Sequence, residues 1–97
     1  MPNAGSWFVY ILECSDGRYY VGFSSDLPAR IKTHQSGAGP AYTAARLPVK
    51  LTFYEQHSSQ NAALRRERQL KGWTHAKKTA LVQGDLEALR ALSQRRK

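Results

Sequence analysis

Residues 7–23 read WFVYILECSDGRYYVGF, and the length of the loop inside this stretch decides the fold. Trp7 to Glu13 and Tyr19 to Phe23 are rich in β-branched and aromatic residues, which suit a pleated, half-buried surface. Ser15, Asp16 and Gly17 between them signal a hairpin. A two-residue turn at Asp16 and Gly17 would set Ser15 opposite Arg18 and Tyr10 opposite Phe23, sending Tyr20 to the other side of the sheet from Tyr10. A three-residue loop, a type I turn closed by Gly17 in the left-handed bulge position, sets Cys14 opposite Arg18, Tyr20 opposite Leu12 and Tyr10 opposite Gly22. Only in that register do Tyr10 and Tyr20 share a face.

Working outward, Asp26 followed by Leu27 and Pro28 announces a helix that should stop at Gly37, because a capping side chain and an early proline both favour a helix start. Gly37 to Pro48 carries two Gly and two Pro and reads as an exposed loop. Lys50 to Gln56 alternates like a third strand. Ser58 and Ser59 can cap a helix running to Gly72. Further helical stretches cover His75 to Val82 and Asp85 to Ser93, before the basic end Arg95, Arg96, Lys97. The order β-β-α-β-α-α predicts an α+β fold: a small, mainly antiparallel three-stranded sheet with helices packed on it. The reading divides the chain into an N-terminal segment (1–6), one domain (7–83), and a C-terminal helix with a basic tail (84–97).

Ninety-seven residues suffice for one core and are too few for two. Fifteen Lys and Arg against seven Asp and Glu leave a net charge of +8, which attracts polyanions such as nucleic acid. The lone Cys14 excludes an internal disulfide, offers no zinc-ligand spacing and fits a reducing cytoplasm. No apolar run approaches the roughly 20 residues of a membrane span.

Phe8-Val9-Tyr10 and Tyr20-Val21-Gly22 stand where the two tripeptides that name the GIY-YIG nucleases would stand, and Arg30, His34 and Glu67 follow in that family's order. The chain therefore resembles GIY-YIG nucleases over Trp7 to Val82. It looks closest to small stand-alone bacterial members and to the nuclease domain of structure-specific flap and junction endonucleases, with Ala63 to Trp73 (ALRRERQLKGW) especially similar. Phe8 replaces the first Gly, Val21 replaces Ile, and no asparagine follows Glu67. The resemblance implies a metal-dependent endonuclease that cuts branched or single-stranded DNA, DNA in preference to RNA.

Cutting a phosphodiester requires a water that loses a proton, stabilisation of charge on the phosphoryl oxygens, and help for the leaving oxygen. Glu67 could hold Mg²⁺ or Mn²⁺, since Mg²⁺ often takes one or two carboxylates and keeps several waters. Apart from Asp85 and Glu87, no two acidic residues lie within two positions of each other, which disfavours a two-metal centre. The plain alternative is a solvated helix Glu paired with Arg65, Arg66, Arg68 or Lys71, the commoner fate of such a residue. Arg30 and His34, four apart, share one helix face and can serve as phosphate clamp and acid-base partner, or simply be solvated.

The resemblance implies that Tyr10 and Tyr20 both line the site, and the sequence favours Tyr20 for proton abstraction and Tyr10 for positioning. Phenol titrates near 10, so either tyrosine needs a neighbouring His, Arg or metal-bound water. Gly22 opposite Tyr10 would leave backbone room for a phosphate. Lys32, Arg65, Arg68 and Lys71 could follow the nucleic-acid backbone, and Tyr42 and Trp73 could stack on unpaired bases. His57 and His75 lie outside the resembling positions and read as surface residues. A nucleic-acid-binding module without cleavage is the runner-up, and neither a homodimer nor a protein partner has a signature in the chain.

Overall fold

The computed structural model describes residues 5–94; the basic tail Arg95, Arg96, Lys97 lies outside the described residues. The elements run β1 (Trp7–Glu13), β2 (Tyr19–Ser24), α1 (Leu27–Gln35), α2 (Ala41–Ala44), β3 (Lys50–His57), α3 (Gln60–Lys71), α4 (His75–Gln83) and α5 (Leu86–Gln94). The three strands form one antiparallel sheet in the order β2-β1-β3. The fold is thus α+β, as the sequence predicts.

The hairpin takes the three-residue loop. Gly17 has φ +86°, and the Cys14 and Arg18 backbones close the loop with a 2.8 Å hydrogen bond from Cys14 N–H to the Arg18 carbonyl. An L residue is strained at that φ, and glycine is not, so Gly17 fixes the bulge. Tyr10 consequently faces Gly22, and Leu12 faces Tyr20.

Because successive strand residues point to opposite sides, β1 feeds two environments. Val9 and Ile11 join Val21, Ala63 and Leu70 in an apolar cluster, with Trp7, Phe23, Phe53, Trp73 and Leu81 packed around it. Tyr10 and Leu12 join Cys14, Leu27 and Val49 on the other side, with Tyr20, Ile31, Tyr42 and Leu51.

The helices start where capping chemistry permits. Asp26 accepts from Ala29 N–H for α1, Ser59 from Ala62 N–H for α3, and Thr74 from Lys77 N–H for α4. Gly84, with φ +69°, ends α4 in the left-handed conformation. Gly37–Pro48 is more than the exposed loop expected: it contains α2, and Thr43 within it is fully buried. Four residues are too short to show helical periodicity, and the burial of Thr43 depends on a neighbour nine residues away. Arg46 ties this segment to the hairpin. Its Nε donates to Asp16 Oδ2 (3.1 Å), its Nη1 donates to the Tyr42 carbonyl (3.0 Å), and its own carbonyl accepts from Ser15 N–H (3.0 Å). Among the described residues, no helix is long and apolar enough to cross a membrane.

Candidate active site

Tyr10 rises from the middle of β1 and is almost fully buried. Its hydroxyl lies 2.9 Å from Nε2 of His34, near the end of α1, and His34 Nδ1 lies 2.9 Å from Thr43 Oγ1 on α2. The space that Gly22 leaves by lacking a side chain is filled by Tyr10 itself. A Cβ there would come within 2.5 Å of Oη, so the room expected for a phosphate is taken by the tyrosine hydroxyl. Gly39 plays the matching part at the other end, where a Cβ would stand 2.9 Å from His34 Nδ1.

Tyr20 is half-buried on the same face and tilts against His34 with ring centroids 5.0 Å apart. Arg30 is exposed one turn before His34. Its charge acts on both buried groups: burial first, then Arg30, pushes the His34 pKa below its ordinary 6.5. Burial, then the Tyr20 charge, drives the Tyr10 phenol well above its ordinary value, with Arg30 opposing and Glu67 adding to the rise. Tyr20, Arg30 and Glu67 therefore all lie within electrostatic reach of Tyr10. Neutral His34 and protonated Tyr10 are the resting forms at neutral pH.

Glu67 sits on the inward side of α3 between Ala63 and Leu70 and is only 8% exposed. Its Oε2 pairs with Lys71 Nζ at 3.0 Å, and Lys71 is itself exposed. Burying a carboxylate is costly unless it is paired, so an inward Glu in this stripe is a feature in need of a use. The signal was present in the sequence: Ala63, Glu67 and Leu70 fall on one stripe at helical spacing.

A model of the GIY-YIG catalytic domain matches residues 6–80. The chain belongs to the GIY-YIG family. That places it in a nuclease superfamily, and the match leaves α5 outside. A UPF0213 protein of Staphylococcus aureus is 43% identical over 77 residues, covering 79% of this chain and 94% of that protein. The solution structure of UPF0213 protein BH0048 from Bacillus halodurans superposes with a TM-score of 0.53 at 40% identity, covering 91% of this chain and 97% of that one. That of EF2693 from E. faecalis gives 0.58 at 31% identity, covering 87% and 90%.

GIY-YIG nucleases generally use a divalent metal. Among the described residues no three His, Cys, Asp or Glu side chains converge. The donor set therefore suits an ion held by one carboxylate, with water and phosphate oxygens completing its shell, a habit of Mg²⁺. Glu67 fits, because an exposed Lys71 ammonium can swing away from it.

The remaining expected contacts sort unevenly. Lys71 stands at Glu67, whereas Lys32, Arg65 and Arg68 are exposed and make no hydrogen bond or ion pair with the tyrosine–histidine cluster. One side of the Tyr42 ring is covered by the Arg46 guanidinium at 4.0 Å, and the ring leans on Tyr20 at 6.0 Å, so Tyr42 braces Tyr20. Trp73 packs against the apolar cluster beneath Lys77, whose Nζ is 4.3 Å from the ring centroid. His57 is half-buried rather than a free surface residue, bonded to Glu55 at 2.8 Å; His75 is exposed and donates to the Gly17 carbonyl at 2.9 Å. Thr43 and Gly39 complete the cluster, and sequence reasoning missed both.

Proposed function

We propose that this GIY-YIG domain is an endonuclease that hydrolyses a phosphodiester of branched or single-stranded DNA with the help of one divalent ion, Mg²⁺ or Mn²⁺. The observation that carries the reading is the hydrogen bond between Tyr10 and a buried histidine, both of them under the charge of Arg30. A phenol with a raised pKa is a poor base alone. Joined to His34, it can take a proton from water on its oxygen while its own proton passes to Nε2, leaving an imidazolium. Tyr10, not Tyr20, has this partner, so the base role goes to Tyr10.

Tyr20, half-buried beside His34, orients the water or the phosphate. Arg30, always charged and exposed, suits a non-bridging phosphoryl oxygen and stabilises its growing charge. Glu67 would hold the metal, which when bound supplies Lewis-acid stabilisation of phosphoryl charge. The +8 charge draws a polyanion to the site. A domain this small buries limited surface on a duplex, which favours recognition of strand structure over long sequence readout.

The test mixes the protein with Mg²⁺ or Mn²⁺ and flap, junction, single-stranded and duplex DNA. Wild type should cut one of the first three, and Glu67→Ala should abolish cutting while retaining salt-dependent binding. Identical traces from both proteins on every substrate end the nuclease reading, and binding without cleavage leaves a nucleic-acid-binding module on this scaffold.

A further inference from the structure

The cluster around His34 allows three protons to be located by valence alone. Thr43 Oγ1 lies 3.2 Å from the Pro40 carbonyl oxygen and 2.9 Å from His34 Nδ1. A carbonyl has no proton to give, so the Thr43 hydroxyl donates its single proton to Pro40. The same carbonyl also accepts Ala44 N–H at 2.9 Å, which its two lone pairs permit. Toward His34, Thr43 can then only accept, and Nδ1 must carry the ring hydrogen. Nε2 of the neutral ring is left bare, and the Tyr10 hydroxyl donates to it across 2.9 Å.

The opposite arrangement fails on two counts. With Thr43 donating to Nδ1 and Nε2–H donating to Tyr10, the Thr43 and Pro40 oxygens would face each other with no proton between them. The Tyr10 proton would also lack an acceptor among the described residues, although Tyr10 is only 2% exposed. A buried donor left unmatched costs about 1–3 kcal/mol. A doubly protonated ring is opposed by burial and by Arg30.

We infer that Thr43 is a positioning residue: together with the Pro40 carbonyl it holds His34 as the Nδ1–H tautomer and so aims the Tyr10 proton at Nε2. Gly39 brings the backbone of the same segment tightly over this bond, since a Cβ there would sit 2.9 Å from Nδ1 and 3.3 Å from Thr43 Oγ1. The tautomer assignment rests on the hydrogen-bond pattern alone; its consequence for cleavage rests on the nuclease reading.

Long-range ¹H–¹⁵N correlation of the histidine rings tests it, with His57→Gln and His75→Gln variants assigning the signals of the three histidines. Wild-type His34 should show a protonated Nδ1 and a bare Nε2. Thr43→Val should lose that preference and cut about 10- to 100-fold more slowly with KM unchanged, and Thr43→Ser should restore both. A wild-type ring protonated on Nε2 alone overturns the inference, as does a Thr43→Val ring still held as Nδ1–H. An inert wild type with the Nδ1–H pattern supports the assignment and removes the nuclease reading.

Discussion

The two sides of the sheet are built from alternate residues of the same strands, yet they obey different rules. Val9, Ile11 and Val21 face α3 in a cluster whose only demand is shape. Tyr10, one residue away on β1, faces His34 and Thr43, where each buried polar atom has a partner; among the described residues no buried side-chain nitrogen or oxygen is left without one. Volume errors on the first side should cost stability, whereas proton errors on the second should cost chemistry. Glu67 belongs to both, rising from the apolar stripe of α3 while its charge acts on Tyr10.

This contrast can be broken from either side. Tyr10→Phe should lower cleavage by about 10²- to 10⁴-fold, with a stability loss of only about 1–3 kcal/mol from the unmatched His34 nitrogen. Full activity in single-turnover assays would remove Tyr10 from the chemistry. Ile11→Ala should cost about 2–5 kcal/mol in urea unfolding, while the folded fraction cleaves at the wild-type rate; a matching fall in kcat would mean the two sides are coupled. Gly22→Ala drives a Cβ into the Tyr10 hydroxyl at 2.5 Å. It should cost about 1–3 kcal/mol and lose cleavage as Tyr10→Phe does, whereas Gly72→Ala, with nothing nearer than 3.6 Å, leaves cleavage unchanged.

The smallest effect is acid sensitivity. The folded pKa of His34 lies below 6.5, so the unfolded chain binds a proton that the folded chain refuses. This contribution to stability is complete above about pH 6.5 and is lost as pH falls from there toward the folded pKa, with a slope of at most about 1.4 kcal/mol per pH unit. Thermal melts between pH 7 and pH 5 should show the decline in wild type and Ile11→Ala, and a flatter curve in His34→Gln. Equal slopes in all three would place the acid-sensitive group elsewhere.

Legibility in the sequence follows the range of the forces involved. The register of Tyr10 with Gly22 could be read because it is fixed locally, by three loop residues and one left-handed glycine. Helix starts at Asp26 and Ser59 were legible for the same reason, since a cap acts on its own first turn. Thr43 and Gly39 were not, because a threonine and a glycine in a proline-bearing loop carry no periodic signal and acquire their places only when α1 folds over them. The sequence favours Tyr20 as the base and our proposal favours Tyr10, because nothing local reveals which phenol meets the histidine; the 2.9 Å contact to Tyr10 is a tertiary fact.

The hairpin tip has a consequence of its own. Exposed turns are where chain length ordinarily drifts without harm, but Ser15-Asp16-Gly17 acts as a phase-setter for everything downstream on β2. If Ser15 were drawn into the strand to pair with Arg18, the second strand would fall half a pleat out of step, with Tyr20 traded to the packing side and Tyr19 and Val21 delivered in its stead. The hairpin tip therefore sets the register of the site, and Arg46, hooked to both Ser15 and Asp16, holds those two residues in the loop.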